Sequence, residues 1–254
     1  MRFYKILLRL KSSTPSAMIF GELQKFPITL DIKSRMLNFW FKMISLESQN
    51  KLTFHVYNCL HKLFLTGSHQ SMYIKHIKKT LIEIGMHDLW LSHDVSNINF
   101  NWFKLQVKDS LKNLFLQEWY SLIDNDSIYI NYKMLKPEFC KDPYLIELPS
   151  NCALSLLKFR VTNNAMPVNR LRYQNIPRYD RKCEKCELNE IGDEFHYLFV
   201  CPFFNESRKE CIPTRFYKNP NTLKYRQLFA SSNKCILLKT KHFIDIINKS
   251  LKDS

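Results

Sequence analysis

The stretch Cys183-x2-Cys186-x9-His196-x4-Cys201 places three thiols and one imidazole within nineteen residues. Four ligands of this kind are what a tetrahedral Zn2+ takes, at about 2.0–2.3 Å from the ion. A backbone that gathers them is confined to a compact loop. Cys183 and Cys186 suit the tight turn that aims two sulfurs to one side, and His196 and Cys201 lie about one helical turn apart. Gly192-Asp193 allows a reversal between the two halves. Pro202 suits the first position of a new helix, where its missing N–H does no harm. With four side chains as ligands, the site is expected to be closed and structural, with no open position for an activated water. Asp193 and Glu194 are the nearby acids expected to orient His196. Two other readings fit these residues. One is reduced cysteines packed as small hydrophobes around a core histidine. The other is a redox Cys-x2-Cys, although no βαβ pattern surrounds it.

The chain has 38 Lys and Arg against 23 Asp and Glu, a net charge of +15. Such an excess concentrates polyanions: RNA, DNA or an anionic membrane surface. The plain alternative is a Lys-rich protein with its charges scattered over helix faces. The basic density peaks beside the cysteines, with eight Lys and Arg between Lys158 and Lys185 against Asp180 and Glu184. The N-terminal run MRFYKILLRLK is too short in apolar residues for a secretory leader. No stretch of about 18 apolar residues is present to span a membrane. The expected location is therefore intracellular, nuclear or cytoplasmic, without a membrane partner. In a reducing compartment clustered cysteines hold metal more often than disulfides.

Hydrophobic residues make up 45% of the 254, with 19 Phe, 12 Tyr and 4 Trp, enough for a sizeable core. Only 4 Gly occur, too few for the turns of a β-sandwich, so the fold is expected to be mainly α. Ile32, Met36, Trp40, Met43 and Ile44 mark one face of a helix over Thr29–Ser48. Further helices are predicted over Leu52–Leu65, ending at Gly67, and over Met72–Ile84, ending at Gly85. The longest is predicted over Asn101–Ile123, with Phe103, Val107, Leu111, Trp119 and Leu122 on its apolar stripe and Lys104, Lys108 and Lys112 on a solvated face. Asn-, Asp- and Pro-rich segments up to Pro149 read as a passage between units. The expected division is a helical body over 1–149, a small zinc-stabilised CCHC module over 150–215 and a helical tail over 216–254.

The runs KFRVTNNAMPV from Lys158, RYQNIPR from Arg172, RKCEKC from Arg181 and IGDEFHYLFVCPFF from Ile191, followed by Arg208, are similar to the C-terminal region of LINE-type, non-LTR retrotransposon polyproteins. The run Tyr4 to Leu8, with Gly21-Glu22-Leu23 and Phe26-Pro27, resembles the segment after the polymerase in such elements. The resemblance is dense only from about 158 to 208. It implies that Cys183, Cys186, His196 and Cys201 ligate Zn2+ and that the region contacts the element's RNA or target DNA. The chain departs from the family pattern at 169–171, where Asn-Arg-Leu replaces an acidic residue and a Gly.

A polymerase palm needs clustered carboxylates for two metal ions, and no Asp-Asp pair occurs. Nor is there a Walker A loop or a nucleophile elbow. The expectation is a non-enzymatic, nucleic-acid-binding module. Arg172, Arg178, Arg181, Lys182 and Lys185 would meet phosphates, and Tyr173 and Tyr179 would stack on bases. Phe195 would sooner pack around the metal. The rival readings are a zinc-stapled helical adaptor for a separately encoded polymerase, and a decayed element fragment without selected activity. Exposed aromatics near Trp90, Trp102 and Trp119, with basic residues dispersed, would favour the adaptor.

Overall fold

The computed structural model describes residues 2–45, 51–68 and 70–252. Among these the structure is mostly helical, and its one β-type pairing is an isolated bridge between Lys182 and Ile191. A mainly α fold carrying a small Cys/His module is therefore what the sequence led one to expect. It folds as two compact units, Phe26–Trp119 and the combination of Met1–Lys25 with Tyr120–Ser254.

The Phe26–Trp119 unit contains α3 (Ile28–Ser45), α4 (Leu52–Leu65), α5 (Met72–Glu83), α6 (His87–Ser92) and most of α7 (Phe100–Asn125); α1 (Arg2–Leu7) and α2 (Ser16–Leu23) precede it. Gly67 and Gly85 both adopt positive φ just beyond α4 and α5, the left-handed stop that a Cβ disfavours. The buried face of α3 is Leu37, Trp40, Phe41, Met43 and Ile44, whereas Ile32 is 59% exposed. The expected stripe holds at Trp40, Met43 and Ile44, with Leu37 and Phe41 added and Ile32 left out. Phe41 lies 4.6 Å from Phe103 of α7, and that contact selects which side turns inward. On α7 the stripe holds at Phe103, Val107, Leu111 and Trp119, but Ile123 replaces Leu122 as the buried residue. Residues 46–48 of the first predicted helix lie outside the described residues.

A polar chain runs through this core. Trp40 Nε1 donates to Tyr57 Oη at 2.9 Å, and Tyr57 Oη lies 2.8 Å from His93 Nε2. His93 Nδ1 is 2.7 Å from the Trp90 carbonyl, which fixes Nδ1 as the protonated nitrogen and makes Nε2 the acceptor. His61 packs on the His93 ring at 4.1 Å, and its Nε2 is buried without a partner. Burial, reinforced by His93, lowers His61 to about 4. An unfolded histidine takes up a proton near 6.5, so below that pH the unfolded state binds a proton that the folded state refuses. Stability of this unit is expected to be full above pH 6.5 and to fall between 6.5 and about 4. All four Trp residues lie within Phe26–Trp119. Their emission therefore reports urea unfolding of this unit. A midpoint that is equal at pH 7 and pH 5, or that drops just as far in His61→Gln, would refute the assignment.

The other unit is sewn together by buried charge. Arg160 donates to Glu22 through Nε at 3.0 Å and Nη2 at 2.9 Å, and to Asp142 at 2.7 Å. Lys136 pairs with Asp142 at 2.6 Å, and Tyr144 Oη donates to Glu22. Burial works against the guanidinium charge, but Glu22 and Asp142 outweigh it and hold Arg160 above its ordinary range. This network joins α2 to the segment around Asp142 and to the helix Ser150–Arg160. The expected boundary at 149 is corrected accordingly. Asn-, Asp- and Pro-rich residues 136–149 read as a linker, yet they carry core ion pairs, and residues 1–25 belong with the C-terminal half. The tail over 216–254 is likewise part of this unit. Its helices Thr222–Phe229 and Lys234–Ser250 start at Asn221 and Asn233, whose side chains accept from first-turn amides.

Candidate metal centre

Cys183, Cys186, His196 and Cys201 converge, with their ligand atoms all within 4.8 Å of one another. Cys183 Sγ and Cys201 Sγ are 3.8 Å apart, and Cys186 Sγ lies 3.4 Å from His196 Nε2. A tetrahedron with metal–sulfur bonds of about 2.3 Å separates sulfurs by about 3.8 Å, and sulfur from nitrogen by about 3.6 Å. A disulfide would bring sulfurs to about 2 Å. The donor set and its spacing fit one metal ion.

Local backbone explains the convergence. Cys183 N donates to Glu190 O at 2.8 Å and Gly192 N to Arg181 O at 2.9 Å, closing a narrow loop. Lys185 N points at Cys183 Sγ at 3.4 Å. His196–Val200 forms a π-helical turn, and Cys201 N donates to His196 O at 2.8 Å. In an α-helix, residues five apart point about 140° away from each other. The wider π turn closes between residues five apart, so the four-residue spacer returns Cys201 to the side of His196. Arg208 is buried and donates to the carbonyls of Leu198 and Cys201, both at 2.8 Å, which holds this turn in place. Pro202 opens a 3₁₀ turn that leads into the helix Asn205–Cys211.

The acid behind His196 is Glu190, whose Oε2 lies 2.9 Å from Nδ1 and leaves Nε2 to the sulfurs. Asp193 and Glu194, the sequence candidates, do other work. Asp193 accepts from His196 N at 2.9 Å and pairs with Arg178 at 2.9 Å. Glu194 is buried and accepts from the side-chain amides of Asn131, Asn164 and Asn169. Asn169, at the departure from the family pattern, is thus an internal donor. Phe195 packs on Phe199 at 5.4 Å and Tyr225 at 5.6 Å, as expected of a packing residue.

The three thiols cannot all ionise unaided. Hydrogen bonding from Cys201 draws Cys183 down to about 3, while Cys183 pushes Cys201 up and burial pushes Cys186 up. One thiolate is favoured at the others' expense, and a divalent cation would remove that conflict.

Gly192 is required by closeness and not by its φ. A Cβ there would sit 3.0 Å from Pro167 Cγ and 3.1 Å from both Cys183 Cα and Lys182 O. Backbone atoms cannot yield as a flexible side chain would, so Gly192→Ala is expected to displace the first ligand. Metal affinity should fall on the order of tenfold, the scale of losses around metal ligands. Competition with a chromogenic chelator measures this, and an unchanged affinity would show that the loop tolerates the methyl.

The predicted nucleic-acid residues divide. Arg178 is half-buried, bound to Asp193 and to Asn131 Oδ1 at 3.0 Å. Arg181 donates to the carbonyls of Ile176 at 2.8 Å and Val168 at 2.9 Å. Both guanidinium groups are engaged internally. Arg172 lies over the Tyr173 ring at 5.2 Å, and Lys185 Nζ over Phe203 at 5.4 Å. Lys182 sits on the bridge to Ile191. Tyr173 and Tyr179 are 58% and 65% exposed. Burial, then the charges of Arg172 and Arg178, pull Arg181 below its usual range, a sign of crowded positive charge.

No protein-family model matches the chain, and no similar curated protein or solved structure was found. Among the described residues no helix is long and apolar enough to cross a membrane.

Proposed function

We propose that the chain is a non-catalytic, zinc-binding module that contacts RNA or DNA, derived from the C-terminal region of a retrotransposon polyprotein. The observation that carries this reading is the four-ligand cluster, with Lys182 and Lys185 flanking its first ligands and Tyr173 and Tyr179 exposed. Three sulfurs and one imidazole favour Zn2+ over harder cations, which prefer oxygen. The ion stiffens the loop, so Arg172, Lys182 and Lys185 meet phosphates with little chain entropy left to lose. Arg181, held by backbone carbonyls, adds its charge to the local field, whereas the charge of Arg178 is met by Asp193. The adaptor reading keeps part of its expected signal, since Trp102 and Tyr120 are exposed while Trp90 and Trp119 are buried.

Metal content and binding to single-stranded RNA and duplex DNA, measured together, test the proposal. About one zinc per chain is expected, with binding that weakens as salt rises. His196→Ala should lose both metal and binding. Affinity that is flat in salt, or binding that persists without metal, would defeat the reading.

A further inference from the structure

Beyond the zinc loop, a groove in the same unit gathers Arg9, Lys11, Lys158, Lys249 and Lys252. These residues come from three segments separated by most of the chain. The one carboxylate lining the groove, Asp245, is held by Lys241 at 2.5 Å and by Ser155 Oγ at 2.9 Å. At Lys11, Asn163 and Asn164 the groove continues into a second cavity lined by Arg170, Arg172 and Tyr173. Arg170 is paired with Glu184. Tyr173 donates to Ser13 Oγ at 2.8 Å, which fixes its exposed ring at the groove's end.

Folding has brought these cations to one groove. Lys158 and Lys249 occupy the last turns of the helices Ser150–Arg160 and Lys234–Ser250, whose carbonyl ends attract positive charge. Each such end carries about half a negative charge. Two ends offset about one of the five cations in the first cavity, and most of the positive potential remains.

We propose that this groove holds the sugar-phosphate backbone of a single nucleic-acid strand and leads it past Tyr173 to the zinc loop. The inference rests on the proposed function and extends it to a site assembled from the two ends of the chain. A channel of cations ending at an exposed aromatic ring suits a single strand, whose phosphates track the charges while an unpaired base stacks. Duplex DNA lacks such a free base.

The test uses the full chain loaded with zinc and a fluorescent oligouridine strand. Lys158→Gln/Lys249→Gln/Lys252→Gln is compared with Lys182→Gln/Lys185→Gln and the parent. Removing three phosphate contacts should reduce the slope of log affinity against log salt by about 2, with zinc content unchanged. A parental slope in the triple variant overturns the groove. If the Lys182/Lys185 variant then loses binding, the zinc-loop reading stands alone. A parent chain that does not bind the strand at low salt removes the nucleic-acid reading and this one with it. Equal competition by duplex DNA would overturn the single-strand assignment. Loss in the triple variant of binding to phosphatidylserine vesicles, with the RNA slope intact, would assign the groove to lipid.

Discussion

Stripping the metal with a tight chelator is expected to loosen residues 181–211 and leave the Phe26–Trp119 unit folded. Binding to structural zinc contributes about 10–16 kcal/mol in apparent terms to small modules. Here the four residues would tie the loop and the π turn to one point, and the helix Asn205–Cys211 hangs on that turn through Arg208, so losing an ion would loosen all three. Thiol reactivity gives a direct count. Cys59, Cys140 and Cys235 are exposed, whereas Cys183 and Cys201 are buried and Cys186 is half-buried. Before chelation the three exposed thiols should react quickly. Afterwards Cys183, Cys186, Cys201 and also Cys211, buried at the end of the loosened stretch, should join them, while Trp emission stays constant because every Trp lies in the other unit. If the ligand thiols remain protected and amide exchange over 181–204 does not change, the cysteines are packing as reduced hydrophobes and no ion holds them.

Arg160→Ala should be the most damaging single substitution away from the metal. The side chain is 1% exposed, and its removal leaves Glu22 buried without a cation, while Asp142 keeps only Lys136. Breaking one partner out of such a network costs about 3–5 kcal/mol, roughly 10 °C in the melting midpoint of a unit of this size. Replacing the charges together should cost less. Arg160→Met with Glu22→Gln removes one charge of each sign and is expected to recover part of the loss. Calorimetry of the full chain distinguishes the cases. A double variant no better than Arg160→Ala would mean that packing, and not unpaired charge, sets the penalty.

Much of the helical layout was legible because helix formation is local. The predicted helix over Leu52–Leu65 has those bounds, and Gly67 and Gly85 stop their helices as their freedom at positive φ requires. The faces were less legible. Ile32 and Leu122 satisfy the helical period yet lie exposed, since which apolar side turns inward depends on partners such as Phe41 and Phe103. The linker reading of 136–149 failed for a related reason. Composition marks irregular backbone, but it does not reveal that Lys136, Asp142 and Tyr144 meet Arg160 and Glu22 in the core. Glu190, behind His196, carried no signal distinguishing it from Asp193 and Glu194. The groove had none either, because its cations are as scattered in sequence as ordinary surface charges.

The four side chains that could hold a metal and the succession of helices were written in the sequence itself. Chelation at short spacing and the helical repeat both act between near neighbours. Which arginines face inward, which acid steadies His196, where one unit ends and how Arg9 comes to share a groove with Lys252 were decided by tertiary structure alone. Those outcomes depend on contacts between residues far apart in the chain, such as Glu22 with Arg160, and on the cost of burying charge that only a complete set of partners can offset.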